Sequence, residues 1–137
     1  MSSLNQQVFS AADSLRSKMD AFLVARRFIQ DDDREVFLVI LLNTKNRVIA
    51  SHLAHVGRIN SSIIHPREIF KSAIFNNATS LIVSHQHPSG DPHPSWEDIE
   101  VTERLVEVGR IVVIQLLDHI VVGAGEAFVS LKAQGVL

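Results

Sequence analysis

Cysteine is absent from the 137-residue chain. That excludes a disulfide framework, a thiol nucleophile and a thiolate metal site, so any metal must be held by His, Asp, Glu or water. Proline and glycine are sparse, at four and six residues, and 46% hydrophobic with 20% charged residues leaves no disordered or low-complexity signature. Clustered charge is missing too. The longest basic run is Arg26–Arg27, the longest acidic run is Asp31–Asp33, and the formal net charge is -2. Phosphate binding relies on clustered Lys and Arg, so direct nucleic-acid binding is not expected. No stretch approaches the roughly 18–20 apolar residues of a membrane span, and the start "MSSLNQQVFS" lacks a basic segment followed by an apolar run. The expectation is a cytoplasmic protein of one domain, residues 1–137, large enough for a real core and too short for two.

Patterning then places the elements. Leu15, Met19, Phe22 and Leu23 follow helical spacing, with Ser10 and Asp13 in capping-box positions, which predicts a helix over about residues 11–29. "EVFLVILL" is a continuous branched and aromatic run and predicts a strand buried on both faces, with Glu35 at its entrance. After "NTKN", "RVIASHLAHV" predicts a hairpin partner, with a turn at Gly57. Pro66 suits the first turn of a helix "PREIFKSAIFNN", and "TSLIVSH" returns to strand chemistry. Ser95 can cap a helix through about Val108, with Ile99, Leu105 and Val106 on its buried side, and "IVVIQLL", "HIVVG" and "AFVSL" are short strand candidates. Helices and strands interleave without a repeat, which predicts an α/β sandwich: a mixed sheet flanked by helices.

The chemistry concentrates in "SHQHPSGDPHPSWED", Ser84 to Asp98. Side chains alternate along a strand, so His85 and His87 share a face and Gln86 points away. The Pro/Gly turns of "PSGDPHP" can fold the chain back and bring Asp98 to the two imidazoles. Two imidazoles and one carboxylate leave a tetrahedral zinc one position for water, the arrangement of a catalytic site. Such a site needs a base, and Glu35 at the mouth of an apolar strand suits that role. Each piece also has a plain structural explanation: Ser95-x-x-Asp98 is a helix-start pattern, and Glu35 taken alone is a strand-edge charge.

Glu35 ahead of an apolar strand, followed by H-x-H-x7-S-x-x-D as His85, His87, Ser95 and Asp98, resembles the JAMM (MPN-plus) metalloprotease motif at every signature position. The surrounding "HPREIF", "NNATSLIVSHQHPSGDPHPSWED" and "LLDHIVVG" resemble the bacterial RadC branch of that superfamily, over about Glu35 to Leu137. The resemblance implies a curved mixed sheet of the JAMM/MPN, cytidine-deaminase-like type, and zinc on His85, His87 and Asp98 with water as fourth ligand. It implies Glu35 as general acid/base, Ser95 as stabiliser of the tetrahedral intermediate, a peptide or isopeptide substrate, and self-association as a homodimer. Gln86 departs from the usual HNHPSG of RadC-like sequences, and facing away from the metal it should leave the ligand geometry intact. Residues 1–34 are expected to form a helix and loop rather than the helix-hairpin-helix of longer RadC proteins, since no glycine precedes Gly57.

His52 and His55, an odd number apart on one strand, should face opposite surfaces. His65 marks a helix entrance and His93 a solvated loop. Asp118 and His119 adjoin each other between strand-like runs; a buried hydrogen bond, at the second shell of the metal site or purely structural, is expected of them. Three functions remain open: a zinc-dependent peptidase or isopeptidase, a DNA-associated or protein-binding module whose metal is structural or vestigial, and hydrolysis of a non-peptide amide or a phosphodiester.

Overall fold

A computed structural model describes residues 14–29 and 34–137. The helix α1 spans Lys18–Phe28, β1 Val36–Leu42, β2 Val48–Val56, α2 Pro66–Phe75, β3 Ser80–Gln86, α3 Trp96–Val112, β4 Gln115–Val122 and β5 Phe128–Ser130. The five strands form one mixed sheet in the order β2-β1-β3-β4-β5. Only β3 and β4 run parallel, as the crossover through α3 requires, and the other neighbours are antiparallel.

Every residue of β1 is buried because helices cover both faces of the sheet. On one face Phe37, Val39, Leu41, Leu81 and Val83 pack against Ile69, Phe70 and Ala73 of α2 and Val101 and Leu105 of α3. On the other, Leu38, Ile40, Leu42, Ile82 and Ile120 pack against Ala21, Phe22, Val24 and Ala25 of α1. Each fully buried aliphatic side chain contributes about 1.5–3 kcal/mol relative to exposure, so this central strand anchors both layers.

Four expectations need correction. The helix expected over residues 11–29 does not include residues 14–17 and spans Lys18–Phe28: Ser17 accepts from the Asp20 N–H (3.1 Å), while Ser14 bridges to Arg47 and Leu15 donates its N–H to Asn46 O. The proposed cap of Ser10 and Asp13 lies outside the described residues. Helix α3 runs on to Val112, four residues past Val108, and stops where Val113 adopts a left-handed φ of 60°. "IVVIQLL" and "HIVVG" do not make two strands: their first residues belong to α3, and Gln115–Val122 is one strand. A β-bulge between Phe37 and Leu38 also breaks the alternation of β2. It sets His55 opposite Phe37 and His52 opposite Val39, so both histidines share the α2–α3 face.

Candidate metal centre

The site forms where β3 ends and α3 begins, at the carboxyl end of the parallel pair, where open α/β sheets place their ligands. His85 is the penultimate residue of β3. His87 lies just beyond it, but its N–H still bonds to Val122 O (2.9 Å), so alternation continues. Both rings reach the same face, with centroids 4.9 Å apart and planes at 85°. The loop then reverses. Gly90 takes φ +88° and donates its N–H to His87 O, while its carbonyl accepts from Ala124 N–H (2.9 Å). Gly123 fits beneath this loop only because it lacks a Cβ, which would overlap the Gly90 carbonyl oxygen and crowd Pro92.

That reversal brings Asp98 into the third position of α3, where it is fully buried. Ser95 Oγ accepts from Asp98 N–H (3.1 Å) and Asp98 Oδ2 accepts from Ser95 N–H (2.8 Å), a complete capping box. The same carboxylate faces both histidines: Oδ1 lies 2.9 Å from His85 Nδ1 and Oδ2 lies 3.0 Å from His87 Nε2. Burial pushes its pKa up, but the contacts with His85, His87 and Ser95 N–H outweigh burial and hold the carboxyl well below the usual range. His87 is raised, chiefly by its contact with Asp98. His87 Nδ1–H donates to Asp91 O (2.9 Å), so Nε2 is the nitrogen turned toward the carboxylate. A proton or a cation must lie between Nε2 and Oδ2, since both otherwise present lone pairs.

Glu35, the residue just before β1, approaches from the neighbouring strand. Its Oε2 lies 3.1 Å from His85 Nε2, and its side chain is 30% exposed where His85 is 2%. Its backbone is held on two sides: the Glu35 carbonyl accepts from Gly57 N–H (2.7 Å), and the Gln86 amide donates to Arg34 O (3.1 Å) from the opposite face of β3. Glu35, His85, His87, Ser95 and Asp98 therefore meet in one place. His93 pairs instead with Asp91 Oδ1 (2.8 Å) on the exposed side of the loop.

Asp118 and His119, neighbours on β4, face opposite ways. Asp118 accepts from Ser130 Oγ (2.6 Å), Lys132 N–H (3.0 Å) and His119 N–H (2.7 Å), tying β4 to β5 and the turn after it. His119 turns toward the candidate site. Burial pushes its ring pKa down to about 3, and its Nδ1 lies 2.6 Å from Thr102 Oγ1. Nitrogen or oxygen donors of His85, Asp98 and His119, all buried, lie within 4.8 Å of one another. Thr102 was invisible in the sequence pattern, although it follows Asp98 by four residues and so shares its helix face.

The residues fit a borderline divalent cation such as zinc: two imidazoles and a carboxylate converge, and backbone carbonyl Asp91 O orients one ring, as metal-ligating histidines require. Among the described residues no helix is long and apolar enough to cross a membrane. The sequence is 53% identical over 109 residues to a UPF0758 protein of Desulforamulus reducens, covering 80% of this chain and 48% of that relative. It is 54% identical over 114 residues to a UPF0758 protein of Bacillus pumilus, covering 80% and 50%, and 52% identical over 125 residues to one of Bacillus cereus, covering 89% and 54%. The chain thus spans about half the length of the curated relatives it matches. Residues 15–136 match the family described as RadC-like JAB domain. With a mixed five-stranded sheet and three helices among its described residues, the chain belongs to the RadC family of JAB domains.

Proposed function

We propose that the protein is a zinc-dependent hydrolase of amide bonds, a peptidase or isopeptidase. The observation that carries this reading is the convergence of Asp98 with His85 and His87 at 2.9 and 3.0 Å, beside a partly exposed Glu35. His85, His87 and Asp98 would hold the ion. When bound, zinc supplies Lewis acidity that polarises a carbonyl and makes water a nucleophile near neutral pH.

The chain's own groups do the rest. Glu35 combines a fixed backbone with a side chain open to solvent, so it can take a proton from water and return it to the departing amine. Ser95 uses an oxygen lone pair in its cap, not its hydroxyl proton, which remains for an oxyanion developing on the substrate. Strand β2 ends the described sheet, and its outer edge suits an extended peptide segment laid alongside.

Metal analysis of protein purified without added metal tests this reading. Wild type and Glu35→Gln should each carry about one zinc per chain, and Asp98→Ala should lose most of it. Hydrolysis across a panel of peptide and isopeptide substrates should vanish in Glu35→Gln and on chelation. A wild type that cannot be loaded with zinc would overturn the proposal.

A further inference from the structure

Thr102 Oγ1 lies 2.7 Å from the Asp98 carbonyl oxygen and 2.6 Å from His119 Nδ1. A hydroxyl has one proton, and a carbonyl can only accept, so that proton goes to Asp98 O. The contact with His119 must then be supplied by the ring: Nδ1–H donates to Thr102. This assigns the tautomer of a fully buried histidine and leaves its Nε2 as a bare lone pair. Among the described residues His119 Nε2 has no hydrogen-bond partner. Buried acceptors of this kind are rare without an ion or water to meet them. One donor atom each from His85, Asp98 and His119 lie within 4.8 Å of one another.

We propose that His119 is a fourth protein donor to the metal ion, coordinating through Nε2 alongside His85, His87 and Asp98. The inference rests on the metal site of the proposed function and adds to it an inner ligand from β4. A neutral ring with its lone pair already unprotonated loses no proton on binding a cation. Thr102 is the positioning residue, fixing the tautomer from the helix that also carries Asp98. Four protein donors are the count of a closed zinc site, so a water finds room only when one donor leaves or the coordination expands to five.

X-ray absorption on the zinc-loaded protein counts imidazoles directly, and cobalt titration against a competing chelator reads affinity and d–d absorption. Wild type should show three imidazoles. His119→Leu should show two, a changed cobalt spectrum and an affinity at least about tenfold weaker. Thr102→Val should keep three imidazoles with weaker binding, because the tautomer is no longer held. Two imidazoles in wild type, with cobalt affinity and spectrum unchanged in His119→Leu, would overturn the inference while leaving the hydrolase reading intact. If His119→Leu does not fold, the wild-type count and Thr102→Val decide the matter. A wild type that binds neither metal removes both.

Discussion

Replacing Asp98 by Ala should separate the structural role of this carboxylate from its role toward a cation. In the metal-free protein Asp98 accepts from Ser95 N–H and faces His85 Nδ1 and His87 Nε2, all while fully buried. Losing half of the capping box costs about 1 kcal/mol. His85 is almost wholly buried and loses the partner of Nδ1, a penalty of roughly 1–3 kcal/mol, whereas His87 is open enough to recover part of its loss from water. Relief from burying a carboxylate offsets some of this. The expected total is about 2–4 kcal/mol, overlapping the range for breaking a buried charged pair. Urea unfolding in excess chelator, followed by circular dichroism, measures it, with Ser95→Ala as the reference at about 1 kcal/mol. If Asp98→Ala costs no more than Ser95→Ala, the imidazole contacts contribute nothing and Asp98 acts only as a helix cap.

Gln86→Ala removes the amide that holds Arg34 O beside Glu35, and should lower hydrolysis while leaving zinc content unchanged; parallel loss of zinc would show that Gln86 supports the ligands instead. Gly123→Ala forces the loop outward from the Gly90 carbonyl and Pro92, carrying Asp91 O away from His87. Metal affinity should drop about tenfold or more, and an unchanged affinity would mean that Asp91 does not orient the ring. His119 has an ordinary pKa of 6.5 and is pushed down to about 3 when folded, so its contribution is complete above pH 6.5 and is lost as pH falls toward 3. At roughly 1.4 kcal/mol per pH unit this reaches on the order of 4–5 kcal/mol in metal-free protein, and His119→Leu should flatten that acid limb of the stability curve. Equal slopes in the two proteins would refute it. His87, raised by Asp98, works in the opposite sense, its contribution present below pH 6.5 and lost as pH rises past its raised value, so the comparison must be made between these two proteins.

What is legible in the sequence alone is local. "EVFLVILL" announces a strand buried on two faces because every position is apolar, and His85 and His87 share a face because strands alternate. Ser95 and Asp98 fit their cap because that pattern is satisfied within one turn. Where the pattern misled, a distant partner decided. Helical spacing carries the expected helix back through Ser14, but the bridge between Ser14 and Arg47 keeps residues 14–17 out of it, and the helix starts after Ser17. Asp118 looks like a strand break until Ser130 and Lys132, from outside that strand, satisfy its oxygens. The bulge that aligns His52 with His55 depends on register against β1 and leaves no mark in β2 itself. The bond from His119 to Thr102 joins residues seventeen apart through a helix crossover, beyond the reach of any short motif.

The source of each group along the chain carries one more consequence. His85, His87, Asp98 and His119 all come from a single strand–helix–strand unit, β3, α3 and β4, whereas Glu35 arrives from β1, fifty residues before His85. On the proposed reading, holding an ion and moving a proton therefore draw on separate parts of the chain. A variant that kept the unit but displaced Glu35 should still bind metal and lose hydrolysis.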